Sequence, residues 1–531
     1  MRQNKDGEVK LFRLFGHFSV VFLLSASALS AQSFADFKRS QAESFSKYKD
    51  ERDNAFNKHL KQQWEAYNVY QGVPIYEKPK PKEIPPAIPK KIKSVGPKIS
   101  IKVKKIEHVE PKPVQKFIVF KEPKKEIIKK EKVEPKEKVE VKKEKIEPKK
   151  EIVEVIRIEP KKIEAVVAKD ITFDFFGSIL GFDVPNGIKT AKFYPQNQEG
   201  ITNFFDSAAS SDYESFITEI KRVSKTMNLN DWGTYLLVLE VSNRIHSNQD
   251  NSNLLSWFIF NKLGYAVKVG LAKRHIVLMH YSKKIIYSTP NYNFSNKKFY
   301  VVSNYAKGNV GRLYSYKQNY PGADKPLDLS LKTLPLFSSK MKDKTLSFKE
   351  YGNTYKVSFE YNQNLIDFMA TYPQADYETY FNAPIDGRTY KSIASDLKKY
   401  LDGKQAGDAM NFVLHFVQKS FKYEIDNKQF GREKVMFATE TLYFDKSDCE
   451  DRAVLFSYLV KELFDVSVVG VKYKDHMATA LYVPMSGDSI NAGKRKLVIA
   501  DPTYINSSIG QSMPKYKSIK PDSLVVLRKE N

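Results

Sequence analysis

Three side chains in the C-terminal part of the chain have the types and positions that nucleophilic catalysis needs. Cys449, the only cysteine among 531 residues, lies in the string SDCED before a segment whose apolar positions have helical spacing. His476 precedes the run MATALYV, and Asp501 follows the run KLVIA; both runs predict strands. A thiolate attacks a carbonyl, an imidazole transfers the proton and a carboxylate orients the imidazole. The pattern therefore predicts Cys449 as nucleophile, His476 as general base and then acid, and Asp501 as the orienting residue.

The ionisation of the Cys449 thiol decides whether this set could react, because the thiolate is the nucleophile. The N-terminus of a helix and a paired imidazolium of His476 would both lower the thiol pKa. The carboxylates of Asp448 and Glu450 would raise it, unless they point away, cap the helix or bind a cation. The favourable features predict a lowered pKa for Cys449.

Acyl transfer also needs an oxyanion hole, in which two donors face the developing negative charge. The main-chain N–H of Cys449, at the start of the predicted helix, could supply one donor. Tyr443 and Tyr423 are both candidates for the second donor, and the sequence does not choose between them.

The three blocks together resemble the transglutaminase-like superfamily of papain-type folds. That superfamily has a Cys at a helix start, a His on a strand about 25 residues later, and Asp-Pro-Thr after the next strand, here Asp501-Pro502-Thr503. The resemblance covers about residues 390–531. His476 is followed by Met-Ala instead of Ala-Trp, and the strings DCED and HM look like the bacterial transglutaminase-like cysteine proteinases. The resemblance implies acyl transfer through a thioester, ending in hydrolysis or in transfer to an amine.

In that branch of the superfamily the acidic residues beside the nucleophile can hold calcium. Two or three carboxylates with loop carbonyls suit a hard cation. For Asp448 and Glu450 we favour helix capping over calcium binding, and we predict no metal ligands and no cofactor.

The charge distribution argues against a nucleic-acid partner. The chain carries 87 Lys and Arg against 62 Asp and Glu, a net charge of +25. Residues 77–164 alone contain 28 Lys or Arg and 16 Glu, and no base-reading motif accompanies this excess. The charge suits anionic envelope polymers or lipid headgroups.

The N-terminus predicts export. Basic residues precede the apolar run FSVVFLLSASALSA, which ends in small residues, so residues 1–31 are predicted to be a secretory signal. An uncleaved membrane anchor is the alternative, although the run is short for a spanning helix. We therefore expect a protein of the periplasm or cell envelope, and with a single cysteine it forms no intramolecular disulfide.

Two further segments precede the globular sequence. Residues 32–76 carry an 11-residue repeat that aligns Phe34, Phe45, Phe56 and Tyr67 on one stripe, which predicts a long amphipathic helix. This helix could pack on its own protein, self-associate, or lie on a membrane surface with its aromatic face in lipid. Residues 77–168 hold 12 of the 25 prolines among Lys and Glu, which predicts a disordered linker or extended stalk.

The globular sequence predicts an α+β protein that contains a diverged duplication. Residues 169–305 and 389–531 share a pattern of two helices followed by strands, with a β-rich module at 306–388 between them; two unrelated α+β units could imitate this. In the first copy Gln249 stands at the nucleophile position, His275 one residue short of the base position, and Ser303 at the position of Asp501. The first copy is therefore predicted to be a degenerate transglutaminase-like domain.

The combined expectation is an exported, envelope-associated cysteine hydrolase, a peptidase or amidase acting on an envelope protein or a cell-wall peptide. The alternative is a non-catalytic envelope scaffold whose transglutaminase-like domains bind a partner or a cell-wall polymer. Contact with a membrane surface through the N-terminal helix is a further expectation.

Overall fold

The computed structural model describes residues 31–62, 64–90, 93–112, 114–115, 169–302 and 310–527. Apart from Ala31, the predicted signal segment 1–31 lies outside these residues, as do Ser303 and residues 116–168 of the predicted linker. In the described part of the chain no helix is both long enough and apolar enough to cross a membrane. The chain divides into two compact units after Ala55.

The predicted N-terminal helix is shorter than its aromatic repeat. Helix α1 spans Ala31–Leu60, and the indole N–H of Trp64 donates to the carbonyl of Leu60 at 3.0 Å. The chain then becomes extended in strand β1 (Glu65–Tyr67), which already belongs to the second unit and pairs there with residues Leu313–Ser315. The prediction of one helix over 32–76 is therefore wrong after Leu60, because pairing with a sheet edge outweighs the helical periodicity of the last repeat.

The first half of the large unit is a group of helices packed on a six-stranded antiparallel sheet. A separate two-stranded ribbon, β2–β3, precedes the helices. The elements in chain order are β2 (Ile171–Phe175), β3 (Ser178–Phe182), α2 (Asn186–Thr190), α3 (Gln198–Ala209), α4 (Glu214–Thr226), α5 (Asp231–Ile245), α6 (Gln249–Lys262), β4 (Val267–Ala272), β5 (His275–Tyr281), β6 (Asn291–Phe294), β7 (Lys297–Tyr300) and β8 (Leu313–Ser315).

The described part of the predicted β module at 306–388 contains strand β8, which belongs to the first sheet, and then one long hairpin followed by helices. Strands β9 (Met341–Glu350) and β10 (Asn353–Asn362) join through Tyr351 and Gly352. Both residues have a positive φ, which a two-residue type I′ hairpin turn requires. The segment NLIDFMATY, within the module predicted to be β-rich, lies mostly in helix α7 (Gln363–Ala370), and α8 (Tyr377–Phe381) follows. The hairpin packs against helices of the C-terminal half, so it is not an independent module.

The second half of the large unit packs its helices on a five-stranded antiparallel sheet. A short 3₁₀ helix, Pro514–Tyr516, precedes its last strand. The elements are α9 (Gly387–Leu401), α10 (Ala406–Ser420), β11 (Lys422–Tyr423), α11 (Asp426–Gln429), α12 (Ala438–Tyr443), β12 (Lys446–Ser447), α13 (Cys449–Phe464), β13 (Val468–Lys472), β14 (Met477–Leu481), β15 (Ser489–Ala492), β16 (Arg495–Ala500) and β17 (Ser523–Val526).

The two halves have the same sheet topology. The first sheet runs β8-β4-β5-β7-β6 and the second runs β17-β13-β14-β16-β15, so the five strands match one for one in sequence order and in neighbours. Helix α6 packs on β4 and β5 as α13 packs on β13 and β14. The sixth strand of the first sheet, β1, is added at the β8 edge by the N-terminal segment. The α+β class is confirmed, and the halves repeat one arrangement.

The described part of the predicted linker is packed on the protein. We call residues 70–90 and 93–112 the strap. Its side chains include the buried Lys80, Ala87 and Ile101, and its main chain bonds to both halves. The prediction of a disordered linker is wrong for these residues. A segment without a core of its own can still order itself by filling a groove between elements that are already folded.

Candidate active site

Helix α13 places Cys449 in its first turn, as the sequence predicted. Asp448 and Asp451 form a capping box, in which the Asp451 carboxylate accepts the main-chain N–H of Asp448 at 3.2 Å. The other end of the helix is closed by Asp465 in the left-handed conformation at φ 55°. The start of α13 is buried throughout, and no surface of Cys449 is exposed. The thiol therefore lies at a capped helix N-terminus inside the protein.

His476 and Asp501 form a buried pair. His476 immediately precedes β14, and Asp501 immediately follows β16, which is the neighbour of β14. The distance between His476 Nε2 and Asp501 Oδ2 is 2.9 Å, while Asp501 Oδ1 accepts the main-chain N–H groups of Thr503 and Tyr504 at 2.9 and 3.2 Å. Adjacent antiparallel strands thus bring together two residues 25 positions apart in the sequence.

The second ring nitrogen of His476 has no hydrogen-bond partner among the described residues, although it is buried. One face of the ring stacks on Tyr516, with the ring centres 4.7 Å apart and the planes inclined by 17°. A carboxylate on Nε2 and a stack on the ring face fix the imidazole and leave Nδ1 available for another donor or acceptor. A proton-transfer partner would have to meet His476 at this nitrogen.

The thiol of Cys449 bonds to other groups in this conformation. Its Sγ lies 3.2 Å from Glu450 Oε2 and 3.8 Å from the hydroxyl oxygen of Tyr76, a strap residue. Among the described residues no hydrogen bond joins Sγ to His476. Burial raises the pKa of the Cys449 thiol well above its ordinary value, and the charges of Glu450 and Asp448 raise it further. The predicted lowering of this pKa is wrong for the observed conformation.

A pocket of carboxylates surrounds the ammonium group of one strap lysine. Lys80 Nζ lies 2.5 Å from Asp448 Oδ2, 2.8 Å from Glu450 Oε1, 2.9 Å from Asp426 Oδ2 and 3.0 Å from Glu433 Oε2. Lys80 is itself almost fully buried. Its ammonium also lies over the ring of Tyr76, with Nζ 5.3 Å from the ring centre. We call Asp426, Glu433, Asp448 and Glu450 the acidic pocket.

The protonation of the acidic pocket depends on Lys80. Burial raises the pKa of Asp426 to about 8 and that of the neighbouring Asp451 to about 7, and repulsion between the carboxylates contributes to both values. Burial also opposes ionisation of Glu450, but the charge of Lys80 and hydrogen bonds hold its pKa below the ordinary value. The pocket therefore balances its negative charge partly with protons and partly with the lysine.

These carboxylates are also the residues that could hold a cation. Oxygen atoms of Asp426, Glu433 and Glu450 lie within 4.8 Å of one another, as do those of Asp426, Asp448 and Asp451. Asp448 occupies the N-cap position of α13, but of its two side-chain oxygens Oδ2 accepts from Lys80 and Oδ1 has no hydrogen-bond partner among the described residues. The capping role predicted for Glu450 is wrong, because its two oxygens accept from Lys80, Tyr76 and the thiol.

The two tyrosines considered for the oxyanion hole differ in position. Strand pairing aligns Tyr423 with Ser447, two residues before Cys449, and burial together with the charges of Cys449, Asp448 and Glu450 raises the pKa of Tyr423. Its hydroxyl donates to the carbonyl of Pro81 in the strap at 2.7 Å. The ring of Tyr443 packs instead on Tyr361 and Phe444. Of the two candidates, Tyr423 is the one at the site.

Several supporting residues carried no signal in the sequence. The fully buried guanidinium of Arg452 donates to Ser447 Oγ at 3.0 Å and to the carbonyls of Phe421 and Gln418 at 2.8 and 3.2 Å. The Gln418 side chain in turn donates to the carbonyl of Asp501 at 2.9 Å. Helix α10 thus links the start of α13 to the Asp501 loop. The burial of Arg452, which directly follows the DCED string, could not be predicted from the composition of that segment.

The first half retains part of the same arrangement. Val267 pairs with His280 as Val468 pairs with Leu481, and His275 and His476 both follow a two-residue turn at the same end of their hairpins. His275 is therefore structurally equivalent to His476, and the one-residue offset between the two copies in the sequence arises before the hairpin. His275 Nδ1 lies 3.1 Å from Asp250 Oδ2, while Gln249 begins α6 as Cys449 begins α13. The first half has no cysteine, and the side chain of His275 is largely exposed.

Comparisons with protein-family models, with curated proteins and with solved structures found no match to this chain.

Proposed function

We propose that this protein is a cysteine hydrolase of transglutaminase-like type, with Cys449 as nucleophile, His476 as proton-transfer residue and Asp501 as its orienting carboxylate. The observation that carries the proposal is the buried His476–Asp501 pair, with the second imidazole nitrogen unbonded and the single cysteine at the start of α13. A structural histidine in a core usually has both nitrogens satisfied. An unbonded buried nitrogen next to an oriented one is the arrangement that a proton-transfer residue needs.

The proposed reaction proceeds in two steps. Transfer of the thiol proton to His476 gives a thiolate, which attacks the carbonyl carbon of an amide; the amine leaves with the proton from His476, and a thioester remains on Cys449. Water then attacks the thioester, giving its proton to His476 and releasing the acid and the thiol. The main-chain N–H of Cys449 and the hydroxyl of Tyr423 are the proposed donors to the oxyanion.

The proposed substrate is an amide or peptide bond of an envelope protein or a cell-wall peptide. This part of the proposal is supported by the predicted signal at residues 1–31 and by the basic excess of the chain. Hydrolysis is proposed over transfer to an amine because water reaches a thioester readily unless a site excludes it. Contact of the N-terminal helix with a membrane surface is a separate proposal, supported by the part of the aromatic repeat that precedes Phe56, because Phe56 is buried in the core and Tyr67 lies in strand β1.

The experiment that tests the proposal compares thiol reactivity in three full-length proteins. Wild type, His476→Ala and His275→Ala are treated with iodoacetamide from about pH 5 to about pH 9, and labelling is followed by intact mass. His275 is a matched control because it occupies the equivalent place in the first hairpin. We expect labelling of wild type and His275→Ala to share a pH midpoint below that of His476→Ala.

Equal midpoints in all three proteins would refute the catalytic role of His476. That result would favour the scaffold function, which the raised pKa of the Cys449 thiol and its bond to Glu450 support.

A further inference from the structure

The strap crosses the proposed active site between the cysteine helix and the histidine strand. Tyr76 contacts the thiol, the N–H of Lys78 donates to the carbonyl of Lys474 just before His476, and the N–H of Ala87 donates to the carbonyl of Ile505 just after the Asp501 loop. One continuous stretch of chain therefore passes all three proposed catalytic residues. An extended peptide substrate would have to follow the same course.

The acidic pocket binds the ammonium group of Lys80. Four carboxylates from three separate places, α11, the Glu433 loop and the start of α13, converge on its ammonium at 2.5–3.0 Å. The pocket walls are anchored without the strap: Asp426 accepts the N–H of Lys434 at 2.9 Å, and the capping box fixes Asp448. Without a cation these carboxylates would repel one another in a buried site. The pocket is thus a built site for a positive charge on an extended chain.

The contacts also close the site. Tyr76 and Lys80 contact the start of α13, where Cys449, Asp448 and Glu450 have no exposed surface. Tyr423, the proposed oxyanion donor, is bonded to the strap carbonyl of Pro81. A substrate could not reach the thiol until these residues leave.

From these contacts we infer that the strap is a built-in occupant of the substrate cleft, and that the acidic pocket is a subsite for the lysine side chain of an extended peptide. This inference rests on the proposed function in one respect, namely that the cleft binds a substrate. The binding of Lys80 in the acidic pocket and the covering of Cys449 are inferred from the contacts alone. The observed conformation is then a latent form, and the ligand that displaces the strap presents a lysine to Asp426, Glu433, Asp448 and Glu450.

The test measures how fast iodoacetamide labels Cys449 in the full-length chain near pH 8; as the only cysteine it gives a single mass shift. Lys80→Gln keeps a long polar side chain but removes the charge, so the strap should open more often. We expect labelling to be faster by about a hundredfold or more, since loss of one partner from a buried ion cluster is strongly destabilising. Exposure of the thiol also removes burial, the main cause of its raised pKa.

The matched control is Lys104→Gln, in the same strap. Lys104 pairs with a single carboxylate, Glu462, at 3.3 Å and is half-exposed, so we expect a change of less than about threefold. A second variant, Ala87→Asp, loosens the strap by placing a charge in a buried apolar cluster while leaving Tyr76 and Lys80 intact. It should also accelerate labelling, and thermal melts by circular dichroism show which variants remain folded.

The lysine subsite is tested by adding a peptide of residues 73–83, VPIYEKPKPKE, to the Lys80→Gln protein. We expect the peptide to slow labelling saturably, and the same peptide with Lys80→Gln to require at least about tenfold more for the same effect. Equal protection by the two peptides, or protection by calcium ions but not by either peptide, would overturn the lysine subsite. A folded Lys80→Gln protein that labels no faster than wild type, together with a folded Ala87→Asp protein that does the same, would overturn the occupant role of the strap.

These outcomes are separable from the fate of the proposed function. If Lys80→Gln labels fast but adding His476→Ala changes neither the rate nor its pH midpoint, the strap inference stands and the catalytic proposal fails. If the strap variants leave labelling unchanged while His476→Ala shifts the midpoint in the wild-type background, the catalytic proposal stands and the strap inference fails.

Discussion

The buried carboxylates at the start of α13 predict a loss of stability as the pH rises through neutrality. Burial raises the pKa of Asp426 to about 8 and that of Asp451 to about 7, against an ordinary value of 3.8. A carboxyl whose pKa is higher in the folded than in the unfolded state binds its proton more tightly when folded. Its contribution to stability is therefore complete below the unfolded pKa and is lost as the pH rises through the folded pKa.

The size of the effect follows from these values. One pKa unit corresponds to ~1.4 kcal/mol, so each group taken alone would account for ~4–6 kcal/mol. The two groups repel each other, so part of this energy is shared and the values do not add. We expect the free energy of unfolding to fall by ~3–6 kcal/mol between about pH 5 and about pH 9 through these two groups.

The assay is urea unfolding of the full-length protein, followed by tryptophan fluorescence at constant ionic strength. Lys268, whose pKa burial lowers to about 7, acts in the opposite direction above that pH, because the folded state then carries fewer protons than the unfolded state. The measured quantity is therefore the difference between wild type and Asp426→Asn, in which the effect of Lys268 cancels. The asparagine oxygen can still accept the N–H of Lys434, and the side chain no longer titrates.

We expect Asp426→Asn to become more stable relative to wild type as the pH rises, by ~2–4 kcal/mol across the range. Asp445→Asn, at an exposed carboxylate that pairs with Lys344, is the matched control and should follow the wild-type curve. A difference between Asp426→Asn and wild type that stays constant from about pH 5 to about pH 9 would refute the reasoning, since Asp426 would then keep one charge state over the whole range.

Two further substitutions test the packing around the site by the same urea assay. Arg452→Met removes a fully buried guanidinium that satisfies two main-chain carbonyls and a hydroxyl, and should cost ~2–5 kcal/mol, whereas Arg495→Met at an exposed position should cost less than ~1 kcal/mol; equal costs would contradict the structural role of Arg452. Gly470→Ala in β13 places a Cβ 2.8 Å from the Phe381 ring and should cost ~1–3 kcal/mol, whereas Gly311→Ala meets no atom within 4 Å; a neutral Gly470→Ala would show that the ring moves aside freely.

The sequence predicted the site better than it predicted what covers the site. Apolar periodicity located the start of α13 at Cys449, and alternating apolar runs located the strands beside His476 and Asp501, because these elements bury one face in a common core. The 2.9 Å contact between His476 Nε2 and Asp501 Oδ2 follows from the pairing of β14 with β16. The neighbouring Glu450 and Asp448 were expected to raise the pKa of Cys449, but burial, the largest cause of the rise, depends on the packing of distant segments and could not be predicted.

The packing of the strap was not predicted, because the composition of a segment indicates whether it can form a core of its own. It does not indicate whether the segment can fill a groove on another part of the protein. The Pro and Lys content of the strap indicates that this segment has no core of its own. The long-range bonds of Lys80 to Asp426, Asp448 and Glu450 cross more than 340 positions of sequence, and no local pattern records them. Similarly, the 11-residue repeat continues past Leu60 in sequence, while the chain leaves the helix to pair with β8.

The pairing of the N-terminal segment with the first half explains how the strap reaches the second half in register. Strand β1 extends the first sheet at β8, and the Tyr70 main chain then forms a bridge with Asn291 at the opposite edge. From that bridge to Tyr76 the chain spans at most ~20 Å, so the first sheet sets where the strap meets Cys449. A repeated half that lacks the thiol thus acquires a defined role, because it anchors the segment that closes the proposed active site of the other half.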